Sequence, residues 1–95
     1  MFNFKNENDE IMEINLTYNK LDQSCFAIDS LINFKRPTKL ILLKNQIKYL
    51  IEEIFKPFLN ANKLNTIEID EQYFDLNDQR NQWIKNIHFE RIHIK

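Results

Sequence analysis

The sequence predicts a small α/β domain in which strands and helices alternate in the order β-α-β-α-β-(α)-β. Three observations predict it. Apolar residues change their spacing from two to three-and-four and back along the chain, a short continuous apolar run lies between two amphipathic stretches, and 95 residues suffice for one core and not two.

The elements follow in order. Residues 1–10 (MFNFKNENDE) are polar and read as a loose segment, with Phe2 and Phe4 alternating as a short edge strand would. Residues 11–95 then form a single globular domain. Ile14, Leu16 and Tyr18 share one face of a strand over about 11–18, opposite Glu13, Asn15 and Thr17. Asn19 is placed to cap a helix whose stripe is Leu21, Cys25, Ile28, Leu31 and Ile32, and Arg36-Pro37 ends it. Leu40-Ile41-Leu42-Leu43 has the pattern of a central strand covered on both faces. Ile47, Leu50, Ile51, Ile54, Phe55, Phe58 and Leu59 predict the longest helix, about 44–60, which Pro57 should kink or end near Phe55. Asn60, Asn62 and Asn65 cluster where that helix must stop and suit left-handed turn geometry. Ile67 and Ile69 alternate with Glu68 and Asp70 in a third strand, and Asn77 to Asn86 fits a short helix. In the last strand Ile87 and Phe89 have one parity and Ile92 and Ile94 the other, so a bulge near Glu90-Arg91 is expected to restore a single apolar face. Short crossovers make the first three strands parallel. With the last strand antiparallel at an edge, the expectation is a mixed four-stranded sheet covered by two or three helices.

Composition excludes several functions. The chain has no glycine, no valine and two alanines, against 14 isoleucines, 13 asparagines and 10 lysines, the pattern of an AT-rich coding sequence. Without glycine, phosphate-cradling loops, dinucleotide-binding turns and nucleophile elbows lose the residue that adopts positive φ at least cost. The single cysteine, Cys25, forms no internal disulfide and reads as a small core residue, which fits a reducing, cytoplasmic compartment. No apolar run approaches the roughly 18 residues of a membrane span. The net charge of −1 divides into −4 over residues 1–34, +5 over 35–63 and −2 over 64–95, a balance unlike that of a general polyanion binder.

Candidate chemistry is sparse. Glu68, Asp70, Glu71, Asp75 and Asp78 form an acidic strip in which Glu68 and Asp70 share a strand face, yet no acid is followed two residues later by the lysine that a metal-dependent nuclease would use. His88 and His93 bracket Glu90, a weak acid/base constellation whose histidines point to opposite faces of a regular strand. Ser24, Ser30 and Cys25 lack an adjacent base. Lys35, Arg36, Lys39, Lys44 and Lys48 are the candidate nucleic-acid contacts, although the chain has only three arginines for base readout. Tyr73 and Phe74 within the acidic strip, with Trp83 beyond it, have the aromatic-flanked-by-charge character of an interface anchor, or else complete the core.

The leading expectation is a non-catalytic protein, without cofactor or metal, that binds a larger protein partner through Glu68, Asp70, Glu71, Tyr73, Phe74, Asp75, Asp78 and Trp83 and inhibits it by occlusion. Toxin immunity proteins and phage-encoded inhibitors of bacterial defence are similar in size, acidic strips and lack of catalytic motif, a likeness of type and not of family. Two alternatives stay open: a nucleic-acid-binding module using the basic 35–48 segment, and a small acid/base or metal enzyme built from Glu68, Asp70, His88, Glu90 and His93. Self-association through the edge strand at 87–94 is also open.

Overall fold

Four short segments that carry isoleucine or leucine toward the core form strands: β1 (Met12–Asn15), β2 (Thr38–Leu42), β3 (Leu64–Ile69) and β4 (Ile92–Ile94). The computed structural model describes residues 11–27, 31, 36–85 and 89–95. The expected strand at 2–4 and Ser30, Lys35 and His88 lie outside them.

The strands make one sheet in the order β1-β2-β3-β4, and every neighbouring pair is parallel. The expected mixed sheet is therefore corrected. β4 runs with β3, setting Ile67 opposite Ile92 and Ile69 opposite Ile94. The connection over residues 70–91 exceeds the dozen or so residues a parallel crossover needs, so the chain returns beneath the sheet before pairing. A 3₁₀ turn at Phe89–Arg91 stands where a bulge was expected. Phe89 is thereby outside the strand, Ile92 is buried, His93 is exposed and Ile94 packs against the core, so the parity conflict disappears.

Register fixes two faces. Ile14, Leu40, Ile67 and Ile92 form one cross-strand row, and all four belong to or pack on the core. The adjacent row, Asn15, Ile41, Glu68 and His93, has the opposite parity, and Ile41 is buried yet stands outside the core cluster. Leu21, Phe26 and Leu31 from the first connection, Ile47, Leu50, Phe55 and Leu59 from the second, and Phe74, Trp83 and Ile84 from the third join that same cluster. All three connections thus cross on one face, as uniform crossover handedness requires when strands are laid down in sequence.

Among the described residues the one α-helix described from end to end is α1 (Glu52–Asn60), in place of the expected helix over about 44–60. Two asparagine side chains account for the shortening. Lys44 has φ 60, and the buried Asn45 Nδ2 donates to the Leu42 and Leu43 carbonyls, so the chain turns there. The buried Asn81 Oδ1 accepts from the Leu50 N–H and its Nδ2 donates to the Lys48 carbonyl, groups a helix would need for itself. Ile47 and Leu50 still reach the core from this non-helical segment. Glu52 and Glu53 favour the positive end of α1, and Glu52 pairs with Lys56 at 3.0 Å.

Pro57 lies inside α1 without ending it. The helix closes after Asn60, where the Lys63 N–H donates to the Phe58 carbonyl and the Asn62 N–H to the Leu59 carbonyl, with Asn62 at φ 60. Of the three asparagines expected to replace glycine, Asn62 does so, whereas Asn60 is helical and Asn65 lies in β3.

The expected first helix is corrected over residues 21–27, whereas Leu31 of its stripe is helical. Asp22, not Asn19, is the cap, and it starts a 3₁₀ turn of Gln23–Cys25 that ends in extended backbone at Phe26. Cys25 is exposed, so it is not a core residue. The expected helix at Asn77 to Asn86 is a 3₁₀ turn at Gln79–Asn81 followed by short helical turns to Lys85.

Candidate functional site

Parallel strands bring the loops that follow them to one end of the sheet, the end where ligands and partners of α/β folds are commonly met. Here those loops are 16–21, 43–46 and 70–73, with Lys95 after β4. One buried side chain organises the first two. Asn45 Oδ1 accepts from the N–H groups of Asn19 and Leu21, both at 2.9 Å, while Nδ2 donates to the Leu16 carbonyl at 2.9 Å. The Tyr18 N–H reaches the Leu43 carbonyl at 3.2 Å, the Lys44 N–H donates to the Asp70 carboxylate, and the Glu71 N–H donates to the Lys95 carbonyl at 3.1 Å. The rim is one hydrogen-bonded unit.

The acidic strip does not remain together on this surface. Glu68 is 5% exposed on the sheet face away from the core, where Lys39 Nζ at 2.9 Å and Lys95 Nζ at 3.2 Å share its Oε2. The Lys39 hydrogen bond outweighs burial and holds the Glu68 carboxyl below the usual glutamate range, and Lys39 is raised in return. Asp70 caps the Lys44 turn, and Asp75 Oδ1 accepts from the Asn77 N–H. Asp78 accepts the Arg80 guanidinium through both carboxylate oxygens, a side-chain pair that lowers its pKa to about 2 and raises that of Arg80. Phe74 and Trp83 are core residues, the indole N–H donating to the Leu50 carbonyl at 3.1 Å. Glu71, Tyr73 and Asp75 are the strip residues that face solvent.

The basic segment divides too. Arg36 precedes β2 and Lys44 and Lys48 follow it, so the strand's length separates them, while Lys39 is paired with Glu68. His93 is exposed and stands opposite Glu68 in register, and Glu90 is exposed in the turn before β4. Among the described residues no three His, Cys, Asp or Glu side chains converge as a metal site, and no helix is long and apolar enough to cross a membrane. Ser24 donates its hydroxyl to Asp22, and Cys25 Sγ lies 3.6 Å from the same carboxylate, an arrangement in which both serve the cap. A cavity of about 210 Å³ beside the start of α1 is lined by Tyr49, Glu52, Glu53 and Arg80, but Arg80 already stacks 3.8 Å from the Tyr49 ring centroid and pairs with Asp78.

One exposed aromatic was not among the expected site residues. Tyr18, expected on a strand face, instead sits in the loop after β1 at 75% exposure, and Tyr73, after β3, is 38% exposed at the same end of the sheet. Its sequence parity with Ile14 and Leu16 concealed it, because a strand continued to residue 18 would have buried it. Comparison with protein-family models, with characterised proteins and with solved structures gives no match to this chain.

Proposed function

We propose that this is a small non-catalytic protein that binds a larger protein partner and occludes it, using the rim at the C-terminal ends of the strands. The observation that carries the reading is the presence of Tyr18 and Tyr73, two solvent-facing tyrosines on loops fixed at one end of one sheet. Tyrosine provides a large contact area at a low cost in side-chain entropy, and loops already ordered by hydrogen bonds lose little more on binding. Glu71 and Asp75 flank Tyr73 and supply charge for orientation and for the association rate. Glu68 and Asp70 support the surface through their internal partners and Asp78 is engaged by Arg80, which leaves a smaller free acidic patch than five acids would make.

The test is a photoreactive benzophenone side chain placed at position 73 and, as a control, at position 63, which precedes β3 at the other end of the sheet. Irradiation in the cell of origin is expected to join position 73 to one larger protein and position 63 to none. Equal labelling at both positions, or none at either, removes the rim as the binding surface.

A further inference from the structure

The rim carries two halves of opposite charge. Tyr18, Lys20 and Lys44 project from the loops after β1 and β2, whereas Glu71 and Tyr73, with Asp75 just beyond them, follow β3; all six are exposed, and the charge of Lys95 beside Glu71 is engaged by Glu68. We propose that this rim is self-complementary and that a second copy of the chain docks on it about a two-fold axis. A two-fold axis lying in the rim between the halves and perpendicular to the line joining them sets each half of one rim against the opposite half of its mate, so the lysines of one copy meet the carboxylates of the other and Tyr18 approaches Tyr73. Adjacent strands lie about 4.8 Å apart, which puts the two halves about two strand spacings from each other, within the span of one small interface.

The backbone supports the assignment. Tyr18, Lys20 and Lys44 have φ of 63, 57 and 60, and among the described residues the other with positive φ is Asn62 at 60. Left-handed geometry costs an ordinary residue about 1 kcal/mol more than it costs glycine and is easier for asparagine. Asparagine stands at the helix end, where geometry alone matters. At the rim the chain, rich in asparagine, holds tyrosine and lysine instead, which keeps their side chains on this surface. A nucleic acid is a poorer occupant, because Glu71 and Asp75 would face its phosphates.

The dimer would occupy the rim that a larger partner uses, so the two compete for it; the inference requires only this chain, and its failure leaves that reading standing. Sedimentation of the full chain, from micromolar to near-millimolar concentration at low and high salt, is expected to show a salt-sensitive monomer–dimer equilibrium. Lys20→Glu with Lys44→Glu makes both halves acidic, and Glu71→Lys with Gln72→Lys reverses the charge beside Tyr73 while sparing the Asp75 turn. Each double variant alone should dimerise about tenfold or more weakly, with unchanged circular dichroism, and an equimolar mixture of the two should re-form a dimer. A wild-type chain that stays monomeric, double variants that dimerise like the wild type, or a mixture that remains monomeric overturns the proposal.

Discussion

Asn45 and Asn81 are the two asparagines most completely buried among the described residues, and each takes over hydrogen bonds that regular backbone structure would otherwise make. Asn45 satisfies two N–H groups and three carbonyls across the loops after β1 and β2. Removing a partner of buried polar groups leaves them unsatisfied at about 1–3 kcal/mol each, so Asn45→Ala is expected to lower stability by about 3 kcal/mol in urea unfolding. A loss under about 1 kcal/mol would mean that water replaces the amide. Asp78 gives a pH prediction. Its pKa is depressed from 3.8 to about 2 by the Arg80 hydrogen bond, so its contribution is present above 3.8 and is lost as pH falls through about 2. The thermal midpoint of the wild type should therefore decline more steeply across that interval than that of Asp78→Asn, which keeps a capping oxygen but not the charge. The sequence revealed Asn62 because it stands at the end of a helical stripe. Asn45 and Asn81 look like any other polar residue, since the partners that tie them to other elements lie 24 to 33 positions away.

At the level of elements, alternation located β1, β3 and the end of β4, because a strand's two faces leave a period of two in the sequence, and a continuous apolar run located β2. The long second helix was half legible. Its apolar spacing runs from Ile47 to Leu59, but spacing reports which side chains face the core and not which backbone conformation delivers them there. α1 has no side-chain cap at Ile51, so its stability comes mainly from Phe55 and Leu59, which are 1% and 0% exposed, and from the Phe55 ring meeting Phe26 edge-on at 5.4 Å. Phe55→Ala is expected to cost about 3–5 kcal/mol by loss of buried area plus the cavity left behind. Its effect should appear as a lowered urea midpoint together with loss of helical circular dichroism. Arg91 also holds the far end of α1, its guanidinium donating to the carbonyls of Leu59, Leu64 and Asn65, with burial lowering its pKa.

For the whole molecule, the direction of the last strand was the feature least available to the sequence, because strand polarity is set by how the connection travels and not by the strand's residues. The candidate site was legible in part for a related reason. Clustering along residues 68–83 suggested one surface, but the chain turns beneath the sheet after Tyr73, so Phe74 and Trp83 enter the core while Glu71 and Tyr73 stay outside. The central strands should be the most protected. Backbone amides of β2 and β3 that bond within the sheet are expected to exchange hydrogen more slowly than those of β1 and β4, because a central strand is released only when both neighbours yield. Exchange read by mass spectrometry with peptide resolution checks this, and equal protection in β4 and β3 would contradict it.

The sequential order of the sheet also governs how the molecule can come into being. Each strand docks on the one made just before it, so a growing chain never has to hold an early edge open for a segment that emerges last. A polypeptide leaving the ribosome can accumulate native pairings in the order of its synthesis.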